Sequence, residues 1–316
     1  GKAAYRTGAS FFLLSKMLGA AARLYLVCLI LQNYVFGSLG VPFEVTASGT
    51  VFLIWLYTFR GGIKSLVWTD ALQTLCLVTA LVLILYQLCR LNDFTVVEAV
   101  RHVVESPYGR WIEWDDWTSR QHFVKQFLSG IFIVIVMTGL DQDMMQKNLT
   151  CKNLHDAQKD MCSYGFSFIP LNMLFLGVGV LLLALASREG IGLPVKGDDI
   201  LPLFCAEGHL GNGVLVLFTI GIIAAAFSSA DSALTALTTS FCVDILDVER
   251  RFTRPEAVRK KVHGVIALLF VGFILCFEAV NDSSVIDAIY VVASYTYGPL
   301  LGLFAFGMFT RRKLWL

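Results

Sequence analysis

The densest set of oxygen-bearing side chains within an apolar stretch of this sequence lies between residues 225 and 239. Small and hydroxylated residues recur there at steps of three and four, at Ala225, Ser228, Ser229, Ser232, Thr235, Ala236 and Thr239. On a helix this spacing places them on one face. Such a face suits either the close packing of two helices or a site for a hard cation, which prefers hydroxyl, carbonyl and carboxylate oxygens. Asp231 favours the cation site, because close packing does not require a carboxylate.

Asp70 is a second carboxylate, near the start of another apolar segment. Two interpretations of it are open. Asp70 pairs with the nearby bases Arg60 and Lys64 at the end of that segment, or it faces the segment that carries Asp231 and shares a cation with it. In the first case Asp70 is a surface ion-pair partner, and in the second it is part of a cation site.

A third group of carboxylates follows Gly139, where Asp141, Gln142 and Asp143 interrupt an apolar stretch. A glycine followed by polar residues is a weak point for a helix. A broken helix exposes backbone groups that can hold an ion or a substrate. The alternative is that the apolar stretch simply ends here and that both carboxylates, followed closely by Lys147, lie in water. The sequence leaves these two interpretations open.

The elements that must position these side chains are membrane helices. Hydrophobic residues make up 56% of the 316 residues and charged residues 16%, against about 25% charged residues in soluble domains. About eight apolar segments are long enough to cross the roughly 30 Å hydrocarbon layer of a bilayer. They are approximately 10–36, 43–60, 68–89, 122–145, 163–186, 213–243, 262–280 and 285–310. This composition excludes a disordered chain, argues strongly against an ordinary soluble enzyme, and makes the lipid bilayer the expected partner.

Charge and motif content narrow the function class further. The formal net charge of +1 provides no field that would attract nucleic acid. The sequence has no nucleophile–base pair, phosphate-binding loop or metal-ligand spacing, so it predicts no enzyme. Lys and Arg are concentrated in one set of alternate loops, and such loops stay in the cytoplasm. The sequence therefore predicts a multi-pass protein of the plasma or inner membrane, with both termini of this chain cytoplasmic.

Three motifs, in the right order, resemble the sodium/solute symporter family, which includes sodium cotransporters of sugars, proline and sialic acid. They are Trp68-Thr69-Asp70-Ala71-Leu72-Gln73 after Gly61-Gly62, Asp141-Gln142-x-x-x-Gln146-Lys147 followed by Ala157-Gln158-Lys159, and Ala225-x-x-Ser228-Ser229-x-x-Ser232 with Asp244-Ile245-Leu246. The resemblance implies an all-α, LeuT-like fold of two inverted five-helix repeats, to which this chain contributes core helices 3–10. Residues 1–116 would be a partial first repeat with an outer loop, and 117–316 the second repeat. We therefore expect a fragment of a transporter, without the first two core helices.

The resemblance also implies ligands for the coupling ion. Ala225, through its carbonyl, Ser228 and Ser229 match the ligands that the eighth core helix gives to the main sodium site. A second cation position in some members matches Asp70, Ser228, Asp231 and Ser232. Asp231 departs from the family pattern, in which a serine or small residue is more usual. A carboxylate at this position would strengthen cation binding or carry a proton.

The function implied is sodium-coupled symport of a small organic solute, with Na⁺ as the coupling ion and Asp141 and Gln142 as substrate or gating residues. Two alternatives stay open. One is proton-coupled symport through Asp70 and Asp231, and the other is a transporter-like membrane sensor. The residues do not name the solute. Met137 and Thr138 stand where sugar transporters of the family carry an aromatic pair, which argues against a sugar.

Overall fold

The computed structural model describes residues 2–59, 63–109, 112–194, 197–206, 208–280 and 285–310. Within these ranges the regular structure is helical, and the β contact is an isolated bridge between Glu113 and His122. The helices are α1 (Lys2–Leu31), α2 (Phe43–Thr58), α3 (Ile63–Leu91), α4 (Val96–Glu105), α5 (Phe123–Gly139), α6 (Gln142–Asn148), α7 (Leu154–Glu189), α8 (Ile200–Ala206), α9 (Asn212–Ser240), α10 (Val248–Arg251), α11 (Pro255–Val280) and α12 (Val285–Phe309). The predicted apolar segments all fall on these helices, with segment 122–145 divided between α5 and α6, which confirms the all-α prediction.

The number of membrane spans is lower than predicted when it is judged by length and composition. Among the described residues, five helices are long and apolar enough to cross a membrane, or six if the bent pair of α5 and α6 counts as one span. The five are Tyr5–Leu31, Asp70–Leu91, Leu154–Glu189, Asn212–Ile245 and Pro255–Val280. α2 has only 16 residues, fewer than the roughly 17–25 that a span requires. The prediction for 285–310 falls partly on 285–290 and 292–294, which lie outside the described side chains.

Contacts divide the chain into two compact units. The first comprises Gly1–Asp70, Phe132–Lys147 and Ala224–Leu316, and the second comprises Ala71–Ile131 and Asn148–Ile223. This division follows contacts rather than internal symmetry. The two inverted repeats, 1–116 and 117–316, therefore stay a prediction. Every residue proposed above for ion binding or gating lies in the first unit.

The core of the first unit joins α1, α2, α9 and α11. Small side chains let these helices approach closely: Ala21, Ala47 and Ala233 are all 0% exposed. Close approach gains dispersion contacts, which drive helix packing where lipid tails are as apolar as leucine. On α9 the core-facing residues are Ala230, Ala233, Leu234 and Leu237. With 3.6 residues per turn, the hydroxylated face of α9 points away from this core.

The second unit has its own apolar core, built from α3, α7, α8 and the start of α9. Its most deeply buried members include Leu88, Leu185 and Phe204, each 0% exposed. The buried amide of Asn92 ends α3 by donating to the carbonyls of Leu88, at 2.9 Å, and Leu181, at 3.3 Å. Those bonds matter because an unpaired polar group inside an apolar core costs free energy. No ion-binding prediction falls on this unit.

The short helix α4 is fixed by hydrogen bonds across its first turn. Thr95 caps its first turn, and Glu98 reaches back to the Thr95 backbone, so that each satisfies an otherwise unpaired N–H. The same hydrogen bonds from Thr95 hold the pKa of Glu98 below its ordinary value. α4 is therefore defined by its cap, while its valines Val96, Val100 and Val104 remain exposed.

A buried histidine connects three helices of the first unit. His263 of α11 is 8% exposed. Its Nε2 lies 2.9 Å from the hydroxyl of Thr58 on α2, and its Nδ1 lies 3.0 Å from the hydroxyl of Thr238 on α9. Both threonines also donate to a carbonyl of their own helix, Ile54 at 2.8 Å and Leu234 at 2.7 Å. Thr58 and Thr238 are 205 and 25 residues from His263 in the sequence, so no local pattern indicates these contacts.

We expect His263→Ala to lower the free energy of unfolding by about 2–3 kcal/mol, because it opens a cavity and removes both side-chain contacts between helices. The measurement is the thermal unfolding midpoint of the detergent-solubilised protein. His155→Ala is the matched control, because His155 is exposed near the start of α7, and its expected effect is below about 0.5 kcal/mol. Equal effects of the two substitutions would contradict a structural role for His263.

Candidate functional site

α9 carries most of the predicted ion ligands. Ala225 and Ser228 are half-buried, Ser229 is exposed, and Asp231 and Ser232 are 0% and 4% exposed. At 3.6 residues per turn, Ser228 lies between Ser229 on one side and Asp231 on the other. Ser229 and Asp231 point in nearly opposite directions around the helix. One ion cannot contact both side chains, so the geometry divides the predicted ligands into two positions that share Ser228.

Asp70 of α3 contacts both α9 and α6. One carboxylate oxygen accepts the hydroxyl hydrogen of Ser228, and the other lies 2.9 Å from the ammonium of Lys147. This contact with α9 supports the interpretation in which Asp70 faces the Asp231 segment. The side chains of the alternative partners, Arg60 and Lys64, lie outside the described residues. The structure thus brings Asp70 and Ser228 together, as the second predicted cation position requires.

Two lysines and three aspartates form an ion-pair network that extends from Asp70 to α1. Lys16 of α1 lies 2.7 Å from Asp141 and 3.5 Å from Asp143. Lys147 lies 2.9 Å from Asp70 and 3.6 Å from Asp143. All five side chains are at least two-thirds buried. Buried charges of this kind are costly unless they are paired, and each lysine here has two carboxylates.

The helix break predicted after Gly139 is present. α5 ends at Gly139, α6 begins at Gln142, and the two are bent by 62° relative to one another. Asp141 caps α6, because its carboxylate accepts the N–H of Asp143 at 2.9 Å and its carbonyl accepts the N–H of Met145 at 3.0 Å. The same carboxylate pairs with Lys16. The broken-helix interpretation is therefore favoured over a segment that ends in water.

The break encloses only a small cavity. Its volume is about 10 Å³ and its lining includes Ser15, Lys16, Met137, Asp141 and Tyr297. This is room for about one water molecule, and the buried hydroxyl of Ser15 has no hydrogen-bond partner among the described residues. An organic solute does not fit there. The roles of Asp141 and the half-buried Gln142 in substrate binding or gating consequently stay predictions.

Asp231 is the residue of the site whose surroundings most strongly favour a bound ligand. Neither of its carboxylate oxygens, nor the hydroxyl of Ser232, has a hydrogen-bond partner in the part of the chain that the structure describes. Asp231 lies close enough to Asp70 and Lys147 to interact with both charges. A buried carboxylate without a partner is strongly unfavourable. Carboxylate and hydroxyl oxygens are the donors that a hard cation prefers, so these residues fit a bound cation.

Lys16 and Lys147 are the functional residues that sequence reasoning did not assign. A signal for Lys16 was present, because a lysine inside an apolar segment needs a carboxylate partner. Which of the carboxylates it meets depends on contacts across 125 residues of sequence. In the sequence Lys147 indicates only that its apolar segment ends in water. In the structure its ammonium turns back to the carboxylate of Asp70.

The sequence matches the model of the sodium:solute symporter family over residues 16–313. A similar protein is the sodium/sialic acid symporter NanT of Aliivibrio fischeri, which is 26% identical over 298 residues, or 91% of this chain and 57% of that protein. Another is the sodium/sialic acid symporter SiaT of Proteus mirabilis, 26% identical over 270 residues, or 81% of this chain and 53% of that protein. The chain spans somewhat more than half the length of these relatives.

The fold is similar to that of a solved Na⁺-coupled sialic acid symporter, captured in a substrate-bound, outward-open state and described with a novel Na⁺ site. The TM-score is 0.75 at 23% identity, and the match covers 95% of this chain and 63% of that one. This likeness confirms the predicted LeuT-like fold. Since the family model covers nearly the whole sequence, the chain belongs to the sodium:solute symporter family.

Proposed function

We propose that this protein is a sodium-coupled symporter of a small organic solute in the cell membrane, with both ends of the described chain in the cytoplasm. The observation that carries the proposal is the buried pair Asp231 and Ser232. Their side-chain oxygens have no hydrogen-bond partner among the described residues. The contact of Ser228 with Asp70 lies next to this pair. The named relatives, which are sodium symporters, support the choice of ion. The activity proposed is transport rather than bond chemistry.

The first sodium position uses the Ala225 carbonyl and the hydroxyls of Ser228 and Ser229. These groups are on successive turns of one face of α9, and all three residues are at least partly accessible. Hydroxyl and carbonyl oxygens carry no net charge, so an ion in this position keeps its positive charge and responds to the membrane potential.

The second cation position uses Asp70, Ser228, Asp231 and Ser232. Ser228 already donates to Asp70, which fixes the hydroxyl beside both positions. Asp231 supplies the negative charge, because one oxygen of Asp70 is engaged by Lys147 at 2.9 Å. A cation here would be compensated by the carboxylate that otherwise has no partner.

The energetics of sodium coupling are sufficient for accumulation. One charge that moves through 100 mV provides about 2.3 kcal/mol, and a tenfold sodium gradient adds about 1.4 kcal/mol. The sum of about 3.7 kcal/mol per ion supports roughly 500-fold accumulation of a neutral solute. In this scheme sodium binds from outside and orders the substrate site, the solute joins, and both leave on the inner side after the helices rearrange.

Proton-coupled symport is the second candidate, and the same carboxylate favours it. A proton on Asp231 would also remove the cost of a buried charge without a partner. The two candidates differ in which ion must be present outside for uptake.

Sodium-22 binding tests the first position. We expect the double variant Ser228→Ala/Ser229→Ala of the full-length protein to lose at least about tenfold in sodium affinity, because the ion loses two hydroxyl ligands. The matched control is Ser163→Ala/Ser167→Ala, since both serines are exposed on α7. Unchanged saturable binding in the first variant, or no saturable binding in the wild type, would refute the sodium site.

Asp231→Asn separates the two candidate ions, because it keeps the shape of the side chain and removes the charge. If sodium occupies the second position, sodium-22 binding to the wild type is expected to saturate with about two ions, and the variant with about one. The readout is the number of ions bound per protein in proteoliposomes.

The proton candidate predicts a different result from the same variant. An inward proton gradient in sodium-free buffer would drive solute uptake by the wild type, and Asp231→Asn would abolish it. Asp160→Asn, on the exposed start of α7, controls for a nonspecific loss of one negative charge. Uptake that needs sodium at every pH would rule proton coupling out.

A further inference from the structure

Asp143 is the one carboxylate of the ion-pair network, as far as the structure describes it, that both lysines share. Its Oδ2 lies 3.5 Å from the ammonium of Lys16, and its Oδ1 lies 3.6 Å from the ammonium of Lys147. Each lysine has a nearer partner, Asp141 at 2.7 Å for Lys16 and Asp70 at 2.9 Å for Lys147. Asp143 is therefore the secondary partner of two competing cations.

The two ends of this network do different things. At one end, Lys16 pairs with Asp141, the residue that caps α6 and defines the bend after Gly139. At the other end, Lys147 pairs with Asp70, which contacts Ser228 at the second proposed cation position. Four ion pairs therefore connect Asp70 to Asp141 at the helix break, by way of Lys147, Asp143 and Lys16.

We propose that Asp143 is a positioning residue that couples cation occupancy at Asp70 to the geometry of the α5–α6 break. This inference rests on the proposed cation coupling. Asp143 is not among the residues proposed above as ligands of the ion or the solute, so it acts through the two lysines. Its role is to transmit a change in the position of one ammonium group to the other.

The direction of the coupling follows from the distances. A cation bound at Asp70 and Asp231 neutralises the field that holds Lys147 to Asp70. Lys147 then moves toward Asp143, which is four residues earlier on α6 and within easy reach of its flexible side chain. As Asp143 engages Lys147 more closely, it withdraws from Lys16. Lys16 is left with Asp141 alone, and the attachment of the break to α1 weakens.

The reverse effect is required by thermodynamics. If cation binding changes the equilibrium between two arrangements of the break, the arrangement of the break must change cation affinity by the same factor. A solute that changes the arrangement of the break thus strengthens or weakens cation binding without contacting the cation. This reciprocity is what a symporter needs, since uncoupled movement of ion or solute dissipates the gradient.

The alternative is that Asp143 only neutralises two buried lysines. Under that alternative its loss would destabilise the protein but would not remove a response of the break to sodium. The coupling role and the neutralising role of Asp143 are distinguished by measuring sodium binding and the state of the break in the same sample.

The experiment is hydrogen–deuterium exchange of the full-length protein in nanodiscs, with and without saturating Na⁺, beside sodium-22 binding to the same preparations. The reporter is the peptide that covers residues 138–148. We expect Na⁺ to speed its exchange about fivefold in the wild type. We expect Asp143→Asn to lose this response while it keeps sodium binding, and Asp143→Glu to restore it because the charge returns. Asp160→Asn, which is exposed on α7, should respond like the wild type.

Three results would overturn the inference. One is a sodium response of the break that persists in Asp143→Asn, another is a wild-type protein that binds sodium without any change at the break, and the third is the loss of sodium binding itself in Asp143→Asn. Failure of the proposed function has a different signature, since the wild type would then show no saturable sodium binding at all.

Discussion

The structure of the first unit depends on the cost of placing charge where water is scarce. Four aspartates, Asp70, Asp141, Asp143 and Asp231, meet two lysines in the described part of this unit. Both of these lysines, Lys16 and Lys147, are paired, whereas Asp231 is buried without a hydrogen-bond partner among the described residues. In a low-dielectric environment such an excess of negative charge is unfavourable until a cation or a proton arrives.

The faces of α9 and the break between α5 and α6 reflect this excess of negative charge. α9 uses different faces for two purposes: alanines and leucines pack into the core, while Ser228 and Asp231 lie near Asp70 of α3 and Lys147 of α6. The break between α5 and α6 lets Asp141 act both as the cap of α6 and as the ion-pair partner of Lys16. In a continuous helix the N–H of Asp143 would bond to a main-chain carbonyl, and Asp141 would not be needed as a cap.

The sequence predicts the helices and the candidate ion ligands of this unit. It does not predict which side chains pair with one another, and the cause is physical. Local patterns predicted the helices, the weak point after Gly139 and the hydroxylated face of α9, since these depend on residues within a few turns of one another. Pairing depends on contacts between distant segments, such as Lys16 with Asp141 and Thr58 with His263, 205 residues apart. Periodicity contains no information about which helices become neighbours. The short α2 also shows that an apolar run in the sequence can be longer than the helix it forms.

The contact of His263 with Thr58 and Thr238 has a consequence that follows from counting hydrogens. Each threonine oxygen approaches one ring nitrogen and the main-chain carbonyl four residues earlier, which makes four close contacts. Thr58 also lies 3.2 Å from the carbonyl of Trp55, which shares its hydroxyl hydrogen with Ile54. A neutral imidazole and two hydroxyls supply three hydrogens for these four contacts, and an imidazolium supplies four. With a neutral ring, one contact is always without a hydrogen, and the vacancy can move from side to side by a tautomer exchange. The contact between α2, α9 and α11 therefore has two nearly equivalent hydrogen-bond arrangements, one for each tautomer of the neutral ring.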